Sequence, residues 1–206
     1  MNICEIFFSL QGESTYAGLP CIFIRLAECN LRCNYCDSKY SYKTAAELSF
    51  EQVMEEVRKY NCKLVEITGG EPLLQVDSVE LMEMLEDENY TVLLETNGTQ
   101  TLQPVPDDVH IIMDVKLPGS GHADSFYLPN LQWLKEGWDE IKFVVSDRAD
   151  FDFALNFIET NRLQKHILLF SPVVDKLEPS LLAEWIMETK FPLRLNLQLH
   201  KLLNLR

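Results

Sequence analysis

The sequence predicts an α/β fold: a partial, open βα barrel of parallel strands with outer helices, built as a single domain over residues 1–206. Three observations lead there. Short apolar runs of strand length alternate with segments whose apolar residues recur at helical spacing. The runs are short and mainly apolar, as buried parallel strands joined by helices are. The residues able to do chemistry follow the runs directly, at the strand edge where barrel-like folds carry their active sites.

The strand candidates are residues 21–26, 64–68, 91–96, 110–115, 140–145, 167–170 and 193–197. Between them, Phe50, Val53, Met54 and Val57 fall at i, i+3, i+4 and i+7, the stripe of an amphipathic helix. Ser49 and Gln52 have the spacing of a capping box at its start. Phe151, Ala154, Leu155 and Ile158 mark a second helix, and Leu182, Trp185 and Ile186 a third that opens at Pro179. About six or seven such units fall short of the eight that close a full barrel.

Composition bounds the function. The 206 residues suffice for one full core. The chain is 47% apolar, yet no run reaches membrane-spanning length. Met1-Asn2-Ile3-Cys4-Glu5 lacks a basic region followed by an apolar block, so no signal peptide is expected and the location is expected to be cytoplasmic. The six cysteines are then expected as reduced thiols. Cys4, Cys21 and Cys62 stand alone and read as small packed residues. The net charge of −14 argues against a nucleic-acid surface.

Cys29-Asn30-Leu31-Arg32-Cys33-Asn34-Tyr35-Cys36 sets three cysteines in a C-x3-C-x2-C spacing, close enough for three thiolates to converge on one metal centre. A four-iron cubane normally takes four cysteines, so three leave one iron open, and an open position marks a catalytic metal site. The spacing also suits a zinc knuckle with a fourth ligand elsewhere, or three small buried residues. After the next strand comes Thr68-Gly69-Gly70-Glu71-Pro72. Its glycines let the backbone approach a ligand, Glu71 offers an acceptor for a ligand amine, and Pro72 stiffens the exit. Alone, it also reads as a simple turn. Glu95-Thr96-Asn97-Gly98, Asp114-Val115-Lys116, Ser146-Asp147, Ser171-Pro172 and His200 follow the remaining strands, so one mouth collects them all.

The cysteine triplet followed by Thr68-Gly69-Gly70-Glu71-Pro72 resembles the radical S-adenosylmethionine (SAM) superfamily. That resemblance implies a [4Fe-4S] cluster on Cys29, Cys33 and Cys36. It implies SAM bound at the open iron and cleaved by one electron to a 5′-deoxyadenosyl radical. Ser9-Leu10-Gln11-Gly12-Glu13, Arg25, Cys36-Asp37-Ser38, Met113-Asp114-Val115-Lys116 and Leu197-Gln198-Leu199-His200-Lys201 narrow it, being similar to the 7-carboxy-7-deazaguanine synthase family. The family's reaction contracts the ring of 6-carboxy-5,6,7,8-tetrahydropterin toward queuosine and related bases. Carried over by position, Leu10, Gln11, Gly12, Arg25, Thr68 and His200 are expected at the pterin. Tyr35, Cys36, Asp37, Gly70, Glu71, Asp114, Val115, Lys116 and Ser146 are expected at SAM, and Ser38 at Mg²⁺.

These roles suit the residue types. Gln11 offers both donor and acceptor to a heterocycle edge. Arg25 presents a rigid fork to a carboxylate. Mg²⁺ favours oxygen ligands and keeps waters, so a serine hydroxyl and a substrate carboxylate suffice. Each also has a plainer reading: Arg25 as an ion-pair partner, Gln11 as a loop capper, Ser38 as a turn residue, His200 as a core histidine. Many family members carry Gly where Glu28 stands and Thr where Ser38 stands. The resemblance further implies a homodimer and a small ferredoxin or flavodoxin as reductant, with no nucleic-acid or membrane partner. Two other readings stand beside it. A glycyl-radical activase of the same superfamily does not need Gln11 and Arg25. A non-catalytic metal-binding protein needs a fourth ligand and no glycine-rich turn.

Overall fold

The computed structural model describes residues 1–43 and 46–205; Thr44, Ala45 and the C-terminal Arg206 lie outside the described residues. The chain runs β1 (Asn2–Leu10), β2 (Pro20–Leu26), β3 (Ala46–Glu47), α1 (Phe50–Val57), β4 (Leu64–Gly69), α2 (Asp77–Asp87), β5 (Thr91–Thr96) and β6 (His110–Asp114). It continues through β7 (Glu140–Val145), α3 (Arg148–Asn161), β8 (Ile167–Pro172), α4 (Pro179–Glu188), β9 (Leu193–Leu195) and α5 (Leu199–Leu203). Short 3₁₀ turns cover Lys39–Tyr42, Pro72–Leu74, Pro118–Ser120 and Leu128–Trp133.

All the strands join one open sheet in the order β3-β1-β2-β4-β5-β6-β7-β8-β9. From β2 onward, neighbours pair in parallel. The predicted strands and the three predicted helices are present, with ends shifted by a few residues. Ser49 and Gln52 cap α1 reciprocally, at 3.3 Å and 2.9 Å.

Four elements were not foreseen. The hairpin strand β1 and the short β3 are antiparallel additions at one edge. In β1 the register slips between Ile3 and Glu5. That bulge puts Ile3 on one face of the sheet and Phe7 on the other, although both are odd-numbered. The period-two signal is therefore broken in the sequence. Helix α2 buries Ser78, Leu81, Met82 and Leu85, the same i, i+3, i+4, i+7 stripe as α1. Finally, His200 does not end a strand; it sits in α5.

The two faces of the sheet differ. Outward, Ile22, Ile24, Val65, Ile67, Leu94, Met113, Ile141, Phe143, Leu168 and Phe170 pack against the helices in the main core. Phe143, Phe151 and Phe170 are fully buried, with ring centroids 5.0 Å and 5.4 Å apart. Burying such a side chain stabilises by roughly 1.5–3 kcal/mol. Inward, a small apolar cluster of Phe7, Cys21, Phe23, Leu64, Leu93 and Ile112 fills only the lower part of the barrel. Above it the inward positions are polar: Arg25, Glu66, Thr68, Glu95, Asp114 and Lys142.

Candidate active site

A cavity of about 750 Å³ occupies the polar half of the barrel. Its base comes from an unexpected direction. Because β1 is antiparallel to β2, the connection after Leu10 lies at the N-terminal edge of the parallel strands, opposite the cysteine loop. Residues 11–19 close this hairpin through Gln11 N–H to the Leu19 carbonyl and Gly18 N–H to the Gln11 carbonyl, both 2.8 Å. The tip turns into the barrel, where Gln11 is buried. Gly12 is needed there, since a Cβ would stand 2.2 Å from His200 Nδ1. The Leu199 N–H also donates to the Gly12 carbonyl at 2.9 Å, docking α5 on the tip.

The cysteine loop forms the opposite wall and is tied to the ends of several strands. Asn34 donates through its backbone to Ser120 and through Nδ2 to Gly119, each at 3.1 Å. Arg32 N–H donates to His122 Nε2 at 3.0 Å, and the Tyr35 hydroxyl to the Val144 carbonyl at 3.1 Å. Gly70 packs directly beneath: a Cβ there would stand 1.9 Å from the Glu28 carbonyl oxygen. Glu28 itself has φ 74° and an exposed side chain. A non-glycine residue held left-handed costs about 1–2 kcal/mol. Glycine would take this conformation without that cost, and the turn leaves the Glu28 charge facing solvent.

The floor carries buried charges. Lys142 donates to Glu13 Oε2 at 3.0 Å and to Glu95, whose other oxygen accepts the Thr68 hydroxyl at 3.2 Å. Burial would lower the Lys142 ammonium, but Glu13, Glu95 and Asp114 push it well above the ordinary lysine range. Burial would raise Glu95, yet Lys142, Arg25 and Lys116 hold it low. Glu66 goes the other way: burial, then repulsion from Glu95 and Glu13, push it well above the ordinary carboxyl range. Both causes act against the charged form. At the mouth, Lys116 binds Asp114 at 2.7 Å. Lys201 binds Asp37 at 2.6 Å, and against the effect of burial it holds that carboxyl low.

Most residues expected from sequence meet in this one cavity. Leu10, Gln11, Gly12, Arg25, Thr68 and His200 line it with Tyr35, Asp37, Gly70, Asp114, Lys116 and Ser38, alongside Cys29, Cys33 and Cys36. Three do not. Glu71 is fully buried behind the glycine turn, where it accepts from Leu73 N–H at 3.0 Å, the Thr96 hydroxyl at 2.8 Å and Asn97 N–H at 2.6 Å. With its oxygens so engaged, it braces the turn rather than facing a ligand amine. Val115 packs in the outer core between Asp114 and Lys116. Ser146 donates to Asp150 Oδ2 at 2.5 Å. Asp150 in turn holds Gly119 N–H at 2.7 Å, so Ser146 supports the turn that carries Asn34.

Gln11 is also held from within the protein. Its Nε2 donates to Glu66 and its Oε1 accepts Glu13 N–H at 2.9 Å, so both ends of the amide are engaged within the protein. Arg25 donates Nε–H to Glu5 at 2.9 Å while lining the cavity. Glu66 and Lys142 were not singled out by any motif. The available signal was the polar residue at every second position within an apolar strand, as in Glu66 and Thr68 or Glu140 and Lys142.

Residues 24–122 match the Radical SAM superfamily pattern. A 7-carboxy-7-deazaguanine synthase of Koribacter versatilis (strain Ellin345) is 46% identical over 217 residues, spanning 98% of this chain and 96% of the relative. The chain belongs to the 7-carboxy-7-deazaguanine synthase family. A second family member, from Chlorobaculum tepidum, is 41% identical over 98% of this chain and 93% of its own. The crystal structure of QueE from Escherichia coli aligns with a TM-score of 0.79 at 25% identity, over 97% of this chain and 94% of that one. Streptococcus suis SuiB, solved bound to S-adenosylmethionine, shares the fold alone, with a TM-score of 0.57 at 13% identity over 82% of this chain and 48% of that one.

The residues present fit the cofactors of the superfamily. Three soft sulfur donors line one wall of the cavity, as an iron–sulfur cluster requires. Burial pushes the Cys29 and Cys33 thiols up, while Lys116 favours their thiolates. Asp114 Oδ1 is buried without a hydrogen-bond partner, an acceptor suited to a donor-bearing ligand.

Proposed function

We propose that the chain catalyses the radical SAM ring contraction of 6-carboxy-5,6,7,8-tetrahydropterin to 7-carboxy-7-deazaguanine, with release of ammonia. The observation that carries this reading is the union of the cysteine wall and the inward-turned hairpin tip around one small cavity. When bound, the cluster and SAM supply the one-electron chemistry that initiates hydrogen abstraction from the pterin.

The chain's own residues then have distinct tasks. Cys29, Cys33 and Cys36 hold the cluster. Gly70 gives the methionine end of SAM room against the backbone, while Tyr35, Asp37, Asp114 and Lys116 surround the rest of it. Gln11, Gly12 and Thr68 shape the pterin bed, and Arg25 and His200 flank it. The Glu13–Lys142–Glu95 chain gives that bed fixed charges in a site shielded from water. Ser38 Oγ, 3.7 Å from Cys36 Sγ, is the protein oxygen for Mg²⁺, which would orient the substrate carboxylate.

The same reading includes a cytoplasmic homodimer reduced by a small ferredoxin or flavodoxin. Among the described residues no helix is long and apolar enough to cross a membrane. The deciding experiment is anaerobic turnover of 6-carboxytetrahydropterin with SAM, Mg²⁺ and a chemical reductant. The expected product is 7-carboxy-7-deazaguanine. SAM cleavage without that product would reject the substrate. Ser38→Ala should lose Mg²⁺ stimulation and Ser38→Thr should keep it; an Ala variant that responds like the parent makes Ser38 a turn residue.

A further inference from the structure

The closed end of the barrel holds a polar cluster that the reaction as described does not use. His110 opens β6 and Glu140 opens β7, and both are buried. His110 Nε2 lies 2.9 Å from Glu140 Oε1. That same oxygen accepts the Thr15 backbone N–H at 2.9 Å and the Thr15 hydroxyl. Tyr16 and Trp138 pack edge-on against the imidazole, with centroids at 5.0 Å and 5.6 Å. His110 Nδ1 and Glu140 Oε2 are buried without a hydrogen-bond partner.

As a plug this is a poor design. Buried polar atoms without partners cost stability, and well-packed apolar residues fill such space as well or better. The neighbouring Cys21, Leu64 and Ile112 do so. The cluster offers register instead. Two residues further along the same face of β7, Lys142 holds Glu13. Alternate residues of β7 thus grip alternate residues of the hairpin tip, Glu140 on Thr15 and Lys142 on Glu13. We propose that Glu140, oriented by His110, is a positioning residue for the reaction: through Thr15 it sets how far the tip, with Gln11 and Gly12, reaches into the cavity. This inference rests on the assignment of that tip to the pterin.

The test uses reconstituted holoenzyme and three variants, Thr15→Val, Thr15→Ser and Glu140→Gln. Thr15→Val loses one hydrogen bond, which amounts to about a tenfold loss in pterin binding if fully expressed there. The expected result is a KM for the pterin raised about tenfold, with less product formed per SAM cleaved. Iron content and the KM for SAM stay at parent values. Thr15→Ser restores the parent values; Glu140→Gln, which keeps one oxygen for Thr15 but not the charge, raises the pterin KM in the same direction by less than the Val variant does. Should Glu140→Gln not fold, the Thr15 pair decides. A lowered Tm with unchanged pterin KM and unchanged coupling overturns the inference and leaves the cluster a structural plug. A parent that makes no product refutes the substrate assignment and the inference with it.

Discussion

The two faces of one sheet obey opposite rules. The outer face is filled by aliphatic and aromatic side chains locked under helices. It gains stability from removing apolar area from water. The inner face buries Glu66, Glu140 and Lys142 nearly as deeply. There each charge must find a partner or change protonation state. The outer face tolerates similar shapes; the inner face depends on particular atoms. Stability and chemistry are thus separated by the thickness of a strand, with alternate residues of β7 serving each.

The largest break in this division should come at the cavity wall. Cys33→Ala removes one of three cluster ligands, so iron content, brown absorbance and SAM cleavage should all be lost. Parent-like SAM cleavage by that variant would sink the cluster assignment. Next come two substitutions on opposite faces. Phe151→Ala in the outer core should lower unfolding free energy by about 3–5 kcal/mol while leaving the pterin KM of the folded enzyme unchanged. Lys142→Met, by stranding Glu13 and Glu95, should cost a similar 3–5 kcal/mol or so and raise that KM as well. Urea titration and steady-state kinetics on both variants would erase the contrast if the two behaved alike.

A smaller effect is expected at Arg25. Arg25→Leu should weaken pterin binding by about 1.5–3 kcal/mol, the worth of one charge-assisted contact, without altering iron content. A drop in Tm with unchanged affinity would reduce Arg25 to the partner of Glu5. The smallest effect concerns Glu66. Its folded-state pKa is raised, so its contribution to stability is complete at acid pH and is lost as pH rises through the raised value. Glu66→Gln mimics the neutral acid and keeps an oxygen for the Gln11 amide. Its Tm relative to the parent should therefore improve from pH 5 to pH 8. A difference that stays flat across that range would mean Glu66 does not titrate as described.

The outer face was the legible one. Apolar residues recurring along a short segment, such as Ile141, Phe143 and Val145, announce strands, and the stripes of α1, α3 and α4 announce the helices that cover them. The cysteine triplet and glycine turn were legible because their chemistry constrains spacing along the chain. The floor was not, since its pairs are joined only by folding. Thr15 and Glu140 are 125 residues apart, Lys142 and Glu13 are 129 apart, and nothing local ties one to the other. Glu71 shows the converse: its motif was visible, but its partners Thr96, at the end of the next strand, and Asn97, just beyond it, decided what its carboxylate does. Strand β1 was hidden by its bulge.

The inward-turned hairpin also divides the time course of folding. Its own closure joins Gln11 to Leu19, a loop short enough to form early. Its anchoring on β7 spans 125 residues and must await β4, β5 and β6. Pulse-labelled hydrogen exchange should therefore protect the Gln11 amide before the Thr15 amide. Simultaneous protection of the two would show that the tip and the sheet assemble as one unit. If the order holds, the chain can be largely folded, with its outer core complete, and still be inactive until its last long-range contact is made.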